Sequence, residues 1–344
     1  MSAIQYQKNA DNIVILTFDS PNQSANTMNA EFRAALDDVS QKLKAETELQ
    51  GIIFRSAKQT FFAGGDLDEL IQTQPEQATE FFNMVEKLKA NLRTIETLGV
   101  PVVAAINGTA LGGGWELALG CHYRIAINDP KTKFGLPEVT LGLLPGGGGI
   151  VRMVRLLGLQ NALPFLLEGK QFGVDKAKSL GLVHDTAANE QELLDKALAW
   201  VKTNPSSTQV FDVKGYKIPG GTPSTPAVAQ MLAIAPAILR DKTKGCYPAP
   251  EAIMAAAVEG AQVDVDTALR IESRYFTQLA TGQISKNMIG TFWHGLNAIK
   301  SGASRPKVIA KWQASKVGIL GAGMMGAGIA YATASKGIAV VLKD

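Results

Sequence analysis

Cysteine and histidine are scarce. The 344 residues hold two cysteines, Cys121 and Cys246, and three histidines, His122, His184 and His294. Neither set has the spacing of a metal motif, so no metal centre is expected, and the cysteines read as reduced structural thiols of a cytosolic protein. The histidines likewise show no triad spacing and read as structural or surface residues. No serine sits in a nucleophile elbow, which argues against a serine hydrolase. There is no apolar run near the roughly 20 residues of a spanning helix, so no transmembrane segment is expected. The segment Met1–Asn12 is polar and lacks the apolar stretch of a secretory signal. Charge of one sign is also missing: the net charge is only +3, and no Lys/Arg block offers a nucleic-acid footprint.

What is present is a globular composition, 46% hydrophobic and 19% charged, in a chain long enough for more than one domain. Apolar runs at Ile13–Phe18, Ile52–Phe54, Val102–Ile106 and Tyr123–Ile127 predict strands. Asn29 stands where a cap would precede a helix with apolar positions Phe32, Leu36, Val39 and Leu43. Pro75 opens a second helical pattern through Phe82, Val85, Leu88, Leu92 and Ile95, closed by Gly99. Four glycines, Gly146–Gly149, open another. Strand–turn–helix units in succession predict an α/β protein of stacked ββα type. Residues 205–226 are rich in Pro, Gly, Ser and Thr and read as a long connection, and residues 227–300 read as mostly helical.

Two glycine-rich turns carry the chemical signal. One runs Phe61-Phe62-Ala63-Gly64-Gly65-Asp66-Leu67, the other Gly108-Thr109-Ala110-Leu111-Gly112-Gly113-Gly114-Trp115-Glu116. Each follows an apolar strand and leads into a helix. Alone, each is an ordinary turn. As a pair they can aim backbone N–H groups at one ligand oxygen, because glycine permits close approach. Glu116 follows the second turn among Trp115, Leu117, Ala118 and Leu119. Glu138 lies in an apolar loop from Phe134 to Leu144. A glutamate near a helix start is commonly a solvated cap. In apolar surroundings, however, a carboxylate has a raised pKa and exchanges protons near neutrality. Two such groups around one water let one accept a proton while the other donates one.

The last residues differ in kind. A short strand, Lys316–Leu320, leads into Gly321-Ala322-Gly323-Met324-Met325-Gly326, a helix pattern, and a second strand ending at Asp344. Both strands, the helix and an acid at the ribose position make this G-x-G-x-x-G a dinucleotide-binding signature, with Gly321, Gly323, Gly326 and Asp344 as its cofactor-facing residues. A single βαβ unit lacks the rest of its sheet, so the chain is expected to be truncated from a longer protein.

Together these segments resemble the crotonase (enoyl-CoA hydratase/isomerase) superfamily over roughly residues 10–190. The resemblance rests on Phe62–Leu67, on Asn107-Gly108 and Gly112–Ala118, on Phe134–Glu138, on Leu143–Gly149, and on Ala177 with Leu180–Val183. Taken whole, the chain resembles the N-terminal part of bacterial multifunctional fatty-acid β-oxidation α-subunits. In those, a hydratase/isomerase domain is joined by a helical linker to an NAD-dependent 3-hydroxyacyl-CoA dehydrogenase. The resemblance implies a crotonase-type ββα spiral core at 1–190, a helical extension and linker at 191–310, and the first βαβ unit of a Rossmann domain at 311–344. It implies Glu116 and Glu138 as catalytic groups flanking a water, and an oxyanion hole from the N–H groups of Ala63 and Gly113. Gly64, Gly65, Asp66 and Gly112 are implied beside the substrate.

Met325 and Asp344 match positions that contact NAD. No cofactor is implied for hydration, and NAD serves the full-length parent. An acyl-CoA thioester is the implied substrate. A thiolase β-subunit is the implied partner of the full-length complex, with an oligomeric assembly. The stretch from Glu116 to Glu138 is longer than is usual in that family, with the extra residues near Asn128 to Thr132. The expected reaction is hydration of a trans-2-enoyl-CoA to a 3-hydroxyacyl-CoA, with Δ3–Δ2 isomerisation possible on the same groups. An acyl-CoA-binding scaffold without turnover, or a crotonase-fold thioesterase or decarboxylase, stays open as an alternative.

Overall fold

The computed structural model describes residues 2–306, 308–310 and 312–344. Contacts within the chain group it into two units, Met1–Leu296 and Asn297–Asp344. No helix among the described residues is long and apolar enough to cross a membrane.

The first unit is built on a sheet of β1 (Ile4–Lys8), β2 (Ile13–Phe18), β3 (Gly51–Ser56), β4 (Val102–Ile106), β6 (Tyr123–Ile127) and β8 (Asp185–Ala187), in that spatial order. Two short strands, β5 (Ala110–Leu111) and β7 (Phe134–Gly135), pair separately in parallel. β1 runs antiparallel to β2, and every other neighbour in the large sheet is parallel. Parallel strands covered on both faces read as continuous apolar runs. All five residues of β4 are accordingly buried.

Helices α1 (Ala30–Ala45), α2 (Leu67–Gln72), α3 (Ala78–Glu96), α4 (Gly113–Leu119) and α5 (Gly149–Leu157) follow successive strands and turns. Asn29 caps α1 by accepting from Phe32 N–H, and Phe32, Leu36, Val39 and Leu43 are all buried, as their spacing predicts. In α3 the core-facing residue is Phe81, whereas Phe82 is half-buried under the Arg270 guanidinium. The helix proper starts at Ala78 after a single 3₁₀ turn, Pro75–Gln77, so the apolar stripe runs through Phe81, Val85, Leu88, Leu92 and Ile95. The N-terminal segment also departs from its reading as polar chain. β1 forms there, but only Ile4 of its five residues is buried, so it carries little apolar signal.

The helical region after residue 190 includes α6 (Glu190–Thr203), α7 (Pro226–Thr243), α8 (Pro248–Gly260) and α9 (Val265–Thr281). α9 packs against α3 and α5, which brings this late helix against the middle of the unit's sequence.

The second unit contains β9 (Lys316–Leu320), α10 (Met324–Ala334) and β10 (Ala339–Lys343), with the two strands parallel. A Cβ at Gly326 would lie 1.7 Å from the Gly321 carbonyl oxygen, so only glycine allows the helix to begin this close to the turn.

The two glycine turns of the first unit also touch. A Cβ at Gly114 would meet Phe62 O at 2.5 Å and Phe62 Cβ at 2.6 Å, both parts of the opposing turn. Gly114→Ala is therefore expected to destabilise the fold by about 1–3 kcal/mol through overpacking. Urea unfolding checks this, and an unchanged midpoint would contradict the close approach.

Candidate active site

The first glycine turn is anchored by Asn26, which is fully buried. Its side-chain amide donates to Phe18 O, Ser56 Oγ and Phe61 O, while its Oδ1 accepts from Ser20 N–H. Its main-chain carbonyl accepts the N–H of Ala63 at 2.8 Å. That last bond corrects the expected oxyanion pair. The Ala63 amide is engaged inside the fold and is not free for a ligand. Further along the same turn, the Gly65 N–H has no acceptor among the described residues, and neither does the Gly113 N–H at the start of α4. Gly64 sits at φ +113 and Gly112 at φ +53, and a Cβ on Gly112 would lie 3.5 Å from Gly64 Cα. These left-handed conformations turn the following amides outward. Asp66 lines the cavity, but its side chain caps α2 by accepting from Asp68 and Glu69 N–H.

Gly64, Gly65, Gly112, Gly113, Glu116 and Glu138 all border one cavity of about 1030 Å³. Its walls are largely apolar, with Val85, Leu88, Leu143 and Phe276 among them. Glu116 projects from the first turn of α4 and is 3% exposed. Its Oε1 accepts both Gly147 and Gly149 N–H at 2.7 Å. Burial, followed by the nearby Glu272 carboxylate, pushes its pKa up to about 7, although the two amides oppose the shift. Glu138 stands on the 3₁₀ turn Pro137–Leu141. A Cβ at Gly112 would fall 2.8 Å from its Oε1, which puts the carboxyl directly beside the second glycine turn. Its Oε2 is buried without a protein partner. Burial, then the field of Glu116, raises the Glu138 pKa well above the ordinary carboxylate value. Two carboxyls in one low-dielectric cavity resist simultaneous ionisation, so at neutral pH the pair can hold one proton and exchange it.

Charged residues that the sequence pattern did not single out surround this pair. Glu272 of α9 is fully buried, accepts Gly148 N–H at 2.7 Å and Val151 N–H at 3.2 Å, and pairs with buried Lys89 at 2.8 Å. Arg152 pairs with Glu96 through two bonds and donates to Gly147 O. The only signal for them in sequence was a charge on the apolar side of a helix.

The histidines lie outside the cavity. His122 and His184 each accept a backbone N–H at Nδ1, and burial holds both below the usual histidine range, His184 at about 3. His294 is part-exposed, 3.4 Å from Asp68. No group of three or more His, Cys, Asp or Glu residues among the described residues could hold a metal.

In the second unit, Asp344 Oδ1 accepts the Ala322 N–H of the glycine motif at 3.1 Å. The acid at the end of β10 thus reaches the turn between β9 and α10. Met325 lies in the first turn of α10 and is largely exposed. The close Gly326–Gly321 approach and an acid in this position fit a dinucleotide's pyrophosphate and ribose.

Asn26→Ala would leave several buried backbone groups without partners. It is expected to cost at least about 2 kcal/mol of stability, read by urea denaturation. A loss too small to measure would contradict the anchoring role.

The family model described as enoyl-CoA hydratase/isomerase matches residues 8–211. A second model, described as the NAD-binding domain of 3-hydroxyacyl-CoA dehydrogenase, matches residues 316–344. Among solved structures, an enoyl-CoA hydratase from Bacillus anthracis is 26% identical, over 87% of this chain and 96% of its own, with a TM-score of 0.53. One from Bacillus halodurans is 23% identical, over 84% of this chain and all of its own, with a TM-score of 0.58. An enoyl-CoA hydratase/isomerase from Mycobacterium paratuberculosis is 18% identical, over 85% of this chain and 98% of its own, with a TM-score of 0.59. The last two similarities bear on fold alone.

Proposed function

Because the chain belongs to the enoyl-CoA hydratase/isomerase family, we propose that it adds water to a trans-2-enoyl-CoA thioester to give a 3-hydroxyacyl-CoA. The observation that carries this reading is the pair of buried carboxyls, Glu116 and Glu138, beside the unengaged amides of Gly65 and Gly113 on one apolar cavity. The thioester carbonyl oxygen would accept from those two amides. α4 begins at Gly113, so its positive end adds to the field there. Electron withdrawal makes C3 electrophilic and lets C2 carry enolate character. Glu116 takes a proton from water as its oxygen bonds to C3. Glu138, which burial keeps protonated near neutrality, delivers a proton at C2. Water's oxygen and one hydrogen end on C3, and a hydrogen ends on C2; the step leaves Glu116 protonated and Glu138 ionised, and passage of a proton from Glu116 back to Glu138 restores both for the next turnover.

The same groups could move a proton between C2 and C4, which is the isomerase reaction. Hydration is favoured because isomerisation needs only one base. In a full-length parent, Gly321, Gly323, Met325, Gly326 and Asp344 would hold NAD, which would serve as hydride acceptor for the 3-hydroxyacyl product. Association with a thiolase β-subunit belongs to the same proposal.

The test follows crotonyl-CoA through its enoyl absorbance. Glu116→Gln and Glu138→Gln are each expected to lower turnover at least about 100-fold. Near-parental turnover in either would contradict the two-carboxyl mechanism. Release of free CoA thiol from the same substrate would assign a thioesterase instead.

The pH profile follows from the signs of the shifts. Glu116 must be ionised to act as base, so kcat/KM should fall as pH drops through about 7. Glu138 must be protonated to act as acid, so kcat/KM should fall again at higher pH. A rate flat from pH 5 to pH 9 would contradict this assignment.

A further inference from the structure

Beyond the two glutamates, the glycine tract at the start of α5 is held by a second carboxylate, from a helix outside the family-matched segment 8–211. The hydrogen bonds interleave. Glu116 takes the N–H of Gly147 and of Gly149, while Glu272 takes the N–H of Gly148 and of Val151. Successive amides therefore point alternately to the cavity side and to the rear. The tract tolerates little adjustment: Gly148 has φ +102, and a Cβ there would lie 2.9 Å from Leu269 of α9. Lys89 fixes Glu272 in turn, donating both to its carboxylate and to Leu269 O at 2.7 Å. The Glu116 carboxyl sits where the two amides of this tract hold it, so whatever orients the tract orients the base.

We propose that Glu272, clamped by Lys89, is a positioning residue for Glu116, so that hydration depends on α9 as well as on the hydratase core. It never meets substrate, because it lies on the far side of the tract and is fully buried. The inference rests on the hydration reading above.

The electrostatic consequence gives a readout that a purely structural role would not move. The charged or titratable groups facing Glu116 are Glu138 from the 3₁₀ turn Pro137–Leu141, Glu272 from α9, Lys89 from α3 and Arg152 from α5, the last paired with Glu96. Glu272→Gln removes a neighbouring anion and leaves the Lys89 cation uncompensated, and both effects favour ionised Glu116. Lys89→Met does the reverse. The acid limb of kcat/KM is therefore expected to move down by about one pH unit in Glu272→Gln and up by about as much in Lys89→Met. kcat should fall at least about tenfold in each, with KM little changed, since the substrate contacts are untouched.

Breaking one half of a buried pair can prevent folding, whereas replacing both halves by neutral groups is commonly tolerated. The double variant, Lys89→Met with Glu272→Gln, keeps the test available. It is expected to fold and to return the acid limb towards the parental position, while kcat stays low because a neutral amide holds the tract more weakly. Acid limbs that stay put, or move in the same direction in both single variants, would overturn the proposal. So would parental kcat in a folded double variant. Should the parental chain fail to hydrate crotonyl-CoA, the hydration reading fails by itself. The backbone amide resonances of Gly147 and Gly149, compared between parental and double-variant protein, then decide the positioning claim: displaced resonances support it and unchanged ones overturn it.

Discussion

Glu116 is held in a buried site by two hydrogen bonds from one short glycine tract, with the Glu138 carboxyl sharing its cavity and the Glu272–Lys89 pair behind the tract. The rest of the site depends on this constraint. A buried carboxylate is costly unless it is hydrogen-bonded, and two amides at the start of α5 supply those bonds without adding a counter-charge. The balance leaves the group near neutrality in pKa, where it can gain or lose a proton at little cost. Glu138 lacks comparable amide support and lies in the field of Glu116, so it is the one that burial and repulsion keep protonated.

The same constraint explains why so much charge is buried behind the cavity. Lys89 with Glu272 and Arg152 with Glu96 hold the back of the tract and satisfy the groups that its sharp turn exposes. Such pairs add little net stability compared with apolar packing, yet breaking one leaves an uncompensated charge. Their use here is geometric. They keep successive peptide groups in the orientation that Glu116 needs.

Much of this was legible in the sequence. The parallel strands announce themselves as apolar runs, α1 by its cap and stripe, and the two glutamates of the cavity by their setting in apolar segments next to glycines. Other parts could not be read there. A glycine turn shows that amides are present but not which of them the fold engages. The loss of the Ala63 N–H to Asn26 appears only once β2, β3 and the turn meet around that side chain. Phe81 and Phe82 are equivalent in hydropathy, and the 3₁₀ turn before α3 decides which of them faces inward. Glu272 shows in sequence only as a charge on the apolar side of a helix, because its partners lie far away, 124 residues in the case of Gly148.

The central claim is that two glutamates share one desolvated cavity and that at least one of them titrates near neutrality. The most direct measurement is a carbon NMR pH titration of the glutamate side-chain carboxyls in the unliganded protein, assigned by loss of the signal in Glu116→Gln. The account predicts a resonance with a midpoint near 7 that vanishes in that variant. If every glutamate titrates within the ordinary range around 4–5, the cavity does not desolvate its acids and the account is contradicted.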